Sequence, residues 1–218
     1  MDFEEIKNAI IQYQNDGKRL FTTSSFQTHS IVMLHILSRI DKSIPIYCLN
    51  TGFLFPETIQ FKDSLAENWG LTIMDVKPDV PKSLQKDSEG KLLFASDPDR
   101  CCFYNKVQPM DKLLSDYDVW VNGIRKDQNA NRAKMKVEVP SKFGTIRFHP
   151  MLEWTNKMIY DYIKEYNLLK HPLEPQGYTS IGCEPCTRKP SLEMMEREAR
   201  WYGMNKTECG LHTELVAK

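Results

Sequence analysis

Short apolar runs alternate with segments of helical period along most of this 218-residue chain, and that alternation constrains its fold more than any other feature. Phe3, Ile6, Ile10 and Tyr13 recur at helical spacing, so an amphipathic first helix is expected to end near Gly17. "RLFTTSS" reads as a short buried strand running into a polar turn, and "THSIVMLHILSRI" as a mostly apolar helix. "SIPIYCLN" is a second strand, with "TGFLFPET" as its exit loop and a helix from Pro56 to about Trp69. "LTIMDV" and "DVWVNG" continue the pattern, and "GTIRFHPM" is a further candidate strand. Strands alternating with helices predict an α/β fold, a mostly parallel twisted sheet with helices on both faces. Ligands in that architecture collect at the carboxyl ends of the strands, where the Ser-rich, "NTG" and "NGIRKDQ" turns fall.

Past "HPMLEW", a helix over "NKMIYDYIKEYN" gives way to "HPLEPQGYTSIGCEPCTRKP", which has too many breakers to be one element. The tail, "RWYGMNKTECGLHTELVAK", is polar and short and is expected to be mobile. The division expected is one α/β domain over residues 1–192 and a functional C-terminal arm over 193–218. Lys and Arg total 29 and so do Asp and Glu, so no global field draws in nucleic acid or an anionic membrane. No apolar run approaches the roughly 20 residues that cross a bilayer. "MDFEEIKNAI" lacks the basic and apolar regions of a signal peptide, so the expected setting is cytoplasmic.

In that setting six cysteines stay reduced rather than forming a disulfide framework. Only Cys101–Cys102 and Cys183–Cys186 are clustered, and two close pairs far apart in sequence suggest four thiolates meeting around metal. "CEPC" supplies two ligands from one turn, as zinc and iron–sulfur sites both use. Adjacent residues of a regular helix diverge by about 100°, so Cys101 and Cys102 would hold one small ion awkwardly. A four-iron cluster spreads its attachment points and is favoured over zinc or plain structural thiols. Asp97 or Asp99 is placed to cap a helix starting near Arg100. Lys106, four residues after Cys102, shares its face if the helix is regular, and its ammonium would offset cluster charge or hold an anionic substrate.

"TTSSFQTHS" leads from a strand into a helix, so its hydroxyls and amides can meet an anion, although a Ser/Thr cap without a ligand explains the same residues. Arg125, Lys126 and Arg132 follow a strand and suit phosphate recognition, against the alternative of an ordinary charged loop. Arg197 and Arg200, three apart, put two more cations on one helical face. Cys209 lies in the tail, where Lys206 and His212 favour its thiolate and Glu208 opposes it. A cysteine there has no packing reason, so it is read as a nucleophile. Cys48, in an apolar strand, is read as inert core, and His35 and His149 as structural.

"SSFQTHS", "NTGFLFPET", "CCFYNKVQPM", "NGIRKDQNANR", "GYTSIGCEPCT" and "RWYGMNKTECGLH" together resemble the sulfonucleotide reductases of assimilatory sulfate reduction, in order from about residue 19 to 212. The resemblance implies an adenine nucleotide alpha hydrolase-like fold of the PP-loop type. It implies a [4Fe–4S] cluster on Cys101, Cys102, Cys183 and Cys186, and reduction of adenosine 5′-phosphosulfate to AMP and sulfite. Cys209 would take the sulfur as an S-sulfocysteine, and a thioredoxin or glutaredoxin-like dithiol would release sulfite. Lys106 would link cluster and substrate. Ser24, Ser25, Phe26, Leu49, Thr51, Gly52 and Gly123 match positions around the nucleotide. Arg125, Arg132, Arg197, Arg200 and His212 match positions near its anionic groups or the tail. Asn105 stands where the cluster-bearing branch commonly has arginine, and "YNKVQPM" matches cluster-free relatives that use the 3′-phosphorylated nucleotide. Either nucleotide, or both, therefore fits the resemblance. An iron–sulfur PP-loop sulfurtransferase is the rival enzyme class, but it needs an "SGGxDS" loop where this chain has "SSFQTHS". Oligomeric state is left open, a homo-oligomer included.

Overall fold

The computed structural model describes residues 1–194, 198–204, 206 and 208–211. Its sheet has six strands: β1 (Leu20–Thr23), β2 (Ile46–Leu49), β3 (Ile73–Val76), β4 (Val119–Val121), β5 (Glu138–Pro140) and β6 (Ile146–Phe148). Their order is β3-β2-β1-β4-β6-β5, parallel except for β5, which pairs antiparallel with β6 at the edge. Five of these strands match the apolar runs read from the sequence. The edge strand β5 was not anticipated, because "EVP" has no apolar run and ends on a proline that only an edge tolerates.

The helices follow from capping and period. Helix α1 (Phe3–Asn15) starts in a capping box between Asp2 and Glu5 and buries Ile6 and Ile10. The mostly apolar α2 (Thr28–Ile40) follows β1, and α3 (Pro56–Trp69) stops at Gly70, whose φ of 61° is left-handed. Side chains then alternate across the sheet. Leu20, Val119 and Val121 face a core with α1, α2, α3 and the later helix α7 (Asn156–Glu165). Phe21 and Trp120 face the other way, against Met110, Leu113 and Leu114. The sheet is therefore covered on both faces, as the alternation predicts. Among the described residues no helix is long and apolar enough to cross a membrane.

The second face is covered from a run of helical segments interrupted at Asp97. The run begins with α4 (Leu93–Ser96) and α5 (Pro98–Cys102), passes through a π-helical turn at Phe103–Val107, and ends in α6 (Gln108–Asp116). Asp97 caps α5 by accepting from the Arg100 amide at 2.9 Å, and Pro98 occupies the first turn. Chain order reverses at β1: β2 and β3 lie to one side, β4 to the other. The loops leaving β1 and β4 thus part company, and a crevice opens between them.

Candidate active site

A cavity of about 210 Å³ fills that crevice. Its walls come from the turn after β1 (Ser24, Ser25, Phe26, Gln27), the end of β2 (Cys48, Leu49) and the turn after β4 (Asn122, Gly123, Ile124). Phe26 is fully buried with φ of 56°, a left-handed conformation uncommon outside glycine and enriched at functional sites. Its amide donates to Ser24 Oγ at 3.0 Å, which holds the turn. Gln27, the residue before α2, makes no side-chain cap to the helix; its Oε1 instead accepts from the Ile181 amide at 2.9 Å. His29 lines the wall, and burial, with Arg125 second, pushes its pKa down to about 4, so the imidazole is neutral.

Lys106, Arg132, Arg200 and Cys209 close the opposite side. Lys106 Nζ lies 3.7 Å from Cys209 Sγ. Burial raises the Cys209 pKa, but the Lys106 ammonium, the Leu211 amide and the Arg200 guanidinium outweigh it, and the thiol sits below its ordinary value. Burial likewise works against the Lys106 charge, and the neighbouring sulfurs of Cys183, Cys209 and Cys102 more than offset it, so the lysine stays protonated. Two glycines make the approach possible. A Cβ on Gly210 would meet Cys102 Cβ at 3.0 Å, and one on Gly182 would meet Arg200 Nη2 at 2.2 Å. The Arg200 guanidinium lies across Gly182, and its Nε donates to the Cys186 carbonyl at 3.2 Å.

Behind Lys106 a second, much smaller cavity of about 10 Å³ is lined by Cys101, Cys102, Cys183 and Cys186, with Thr51, Phe53, Phe94 and Asn105. Thr51 Oγ1 is 3.3 Å from Cys183 Sγ, and Asn105 Nδ2 donates toward Cys101 Sγ at 3.5 Å. Burial pushes Cys101 up to about 12 and Cys186 to about 11, and raises Cys102 as well. The neighbourhood thus pushes Cys101, Cys102 and Cys186 up and Cys209 down. Among the described residues no three His, Cys, Asp or Glu side chains converge as a site for a metal ion.

Several expectations take a different shape. The helix at Lys106 is not regular; the π turn widens it, yet Lys106 still reaches the cavity. Thr51 faces the cysteine cavity rather than the larger one, and Gly52 lines neither. The Arg125 side chain turns to Asp127 at 2.9 Å, and Lys126 turns outward to Glu153. Asn105 points into the cysteine cavity, where it exchanges hydrogen bonds with Gln85. Arg197 and His212 lie outside the described residues. Asn122 and Ser180 were missed. Asn122 Oδ1 and Ser180 Oγ are buried without a hydrogen-bond partner among the described residues, and both residues line the large cavity. Cys48 is buried at its floor with its thiol pushed up to about 12, as inert core should be. His35 bonds Tyr162 and His149 bonds the Lys136 carbonyl, both structural.

Comparison with known proteins bears on this geometry. The phosphoadenosine phosphosulfate reductase domain matches residues 19–189. An adenosine 5′-phosphosulfate reductase of Rhodococcus opacus is 37% identical over 182 residues, 83% of this chain and 74% of that protein. Adenosine 5′-phosphosulfate reductase 1 of Bacillus subtilis is 36% identical over 202 residues, 92% of this chain and 87% of that protein. A phosphoadenylyl-sulfate reductase from Candida auris, solved as a phosphate complex, superposes with a TM-score of 0.69 at 22% identity, covering 84% of this chain and 87% of its own. An FMN adenylyltransferase from Candida glabrata has the same fold at a TM-score of 0.56 and 14% identity, covering 92% of this chain and 69% of its own.

Proposed function

Because the chain belongs to the phosphoadenosine phosphosulfate reductase domain family, we propose that it reduces adenosine 5′-phosphosulfate to sulfite and AMP in sulfate assimilation. The observation that carries the mechanism is the Cys209 sulfur, 3.7 Å from the Lys106 ammonium on the wall of a cavity at the sheet's switch point. The adenosine half lies in the pocket formed by Ser24, Ser25, Phe26, Leu49 and Gly123, with its sulfate toward Lys106 and Arg200. The Cys209 thiolate attacks the sulfate sulfur. The bond from that sulfur to the phosphate oxygen breaks, and AMP leaves with the electron pair. Attack by an anion on an anion needs screening, which Lys106 and Arg200 supply where negative charge builds up. The product is an S-sulfocysteine at Cys209. A thioredoxin or glutaredoxin-like dithiol then attacks the Cys209 sulfur and expels sulfite; its second thiol closes the disulfide and frees Cys209. The dithiol supplies both electrons.

Cys101, Cys102, Cys183 and Cys186 are assigned to a [4Fe–4S] cluster. Four soft donors share one small cavity, which suits a ligand with spread attachment points, and Thr51 and Asn105 are placed to donate to two of the sulfurs. When bound, such a cluster supplies local charge and cross-links the helical run to the "CEPC" turn. Ligation requires the raised thiols to lose their protons. An anaerobic preparation is expected to be brown, with iron and sulfide lost when Cys101 or Cys183 is replaced by alanine.

The relatives' names favour the nucleotide without a 3′-phosphate. Steady-state sulfite release from both sulfonucleotides, with a dithiol protein supplied, tests this: kcat/KM should be higher for adenosine 5′-phosphosulfate. Cys209→Ser should release none, and full activity in that variant would refute the assignment.

A further inference from the structure

One charge near Cys209 has no part in the chemistry above. Glu208 is 1% exposed and adjoins the nucleophile. Its carboxylate accepts from Arg132 Nε at 3.1 Å, Arg132 Nη2 at 2.9 Å, Asn129 Nδ2 at 2.8 Å and the Cys209 amide at 3.0 Å. Arg132 Nη1 donates to Gln128 Oε1 at 2.5 Å, and the same oxygen accepts from the Arg125 amide at 3.1 Å. The loop after β4 is thus folded around a carboxylate brought from 76 residues away.

We infer that the Glu208–Arg132 ion pair is a latch that seats the arm and positions Cys209 against Lys106. Arg132 lines the nucleotide cavity, but all three of its guanidinium nitrogens are engaged by Glu208 and Gln128. It acts on the arm, so it is a positioning residue. The pairing is bidentate, which fixes direction as well as distance. A buried carboxylate deprived of its arginine is strongly disfavoured, so either partner's loss frees the segment that carries Cys209. The described arm is also held by Arg200 Nε and the Trp201 amide on the Cys186 carbonyl, by Leu211 against the Phe21 cluster, by Gly210 beside Cys102 and Val107, and by the Lys206–Asp99 ion pair, so the latch acts on the segment that carries Cys209. A latch also answers a requirement of the chemistry. Attack needs Cys209 inside, whereas the dithiol protein needs its sulfur outside.

This inference rests on Cys209 being the nucleophile, but its deciding readout needs no turnover. The cluster-loaded enzyme is treated with iodoacetamide across the thiol titration, and alkylation of each cysteine is followed by peptide mass spectrometry. The limiting rate constant at high pH reports access to the Cys209 thiolate, separate from its charge. Glu208→Gln and Arg132→Gln should each raise that constant by about tenfold or more, and the double variant no further, since both break one contact. Arg132→Lys should fall between. For Glu208→Gln, kcat should drop while KM stays within about twofold. Cys48, buried in the core, should stay unmodified throughout. A Glu208→Gln constant within about twofold of the parent overturns the latch, as does exposure of Cys48 in step with Cys209. Failure of Cys209→Ser to lose activity would instead remove the nucleophile reading and leave the alkylation result standing.

Discussion

Cys209 and Lys106 show how far single residues can be read. A cysteine in a polar tail and a lysine after paired cysteines both pointed to chemistry, and folding puts them 3.7 Å apart. Glu208 was legible only as a charge opposing the thiolate, because nothing local announces a partner 76 residues upstream. Asn122 and Ser180 lie inside quoted motifs, but neither was singled out as a site residue. Each is one polar residue in an apolar or irregular stretch, and only the tertiary fold turns it to the cavity. Lys106→Met should remove the largest influence lowering the Cys209 pKa. The alkylation profile of Cys209 should then move to higher pH, with less thiolate at neutral pH. Loss of charge screening at the sulfate should also lower kcat/KM by about a hundredfold or more. An unmoved profile would mean that Lys106 does not hold the thiolate.

At the scale of elements, the period-two and helical patterns placed five strands and the long helices. They did not reveal the π turn at Phe103–Val107, whose sequence is compatible with an ordinary helix. The edge strand β5 was equally hidden, since its pairing with β6 and not its composition makes it a strand. The "GCEPC" turn carries a prediction of its own. In Gly182→Ala the new Cβ would occupy the place of the Arg200 guanidinium, the far end of a flexible side chain. Arg200 can swing aside at little cost to folding, so the thermal midpoint should shift by only a few degrees, roughly what 1 kcal/mol produces. The sulfate loses its contact, however, and affinity for adenosine 5′-phosphosulfate, measured by calorimetry in a Cys209→Ser background, should fall by about tenfold. A large loss of stability with unchanged affinity would place Arg200 in the scaffold rather than the site.

For the whole molecule, alternation of strand and helix was enough to predict a ligand crevice at the carboxyl ends, because sheet topology and not local sequence creates the switch point. Titration also acts at this scale. His149 and His171 are fully buried, and burial pushes both pKa values down to about 4. His171 Nδ1 accepts from the Leu173 amide at 3.1 Å, a bond that protonation would break. The unfolded chain binds these protons near the ordinary pKa of about 6.5, so it takes up more protons than the folded one below that pH. Stability is complete above about pH 6.5 and falls as pH drops toward 4. Urea midpoints should be level between pH 7 and 8 and lower at pH 5; a rise at pH 5 would show that the two histidines are charged in the fold. The central claim is that sulfur is transferred to Cys209. A single turnover with adenosine 5′-phosphosulfate and no dithiol, read by mass spectrometry of the Cys209 peptide, tests it most directly. One equivalent of AMP should appear together with one SO₃ group on Cys209, and sulfite only after a dithiol is added. Release of AMP and sulfite in that turnover with Cys209 unmodified would contradict it.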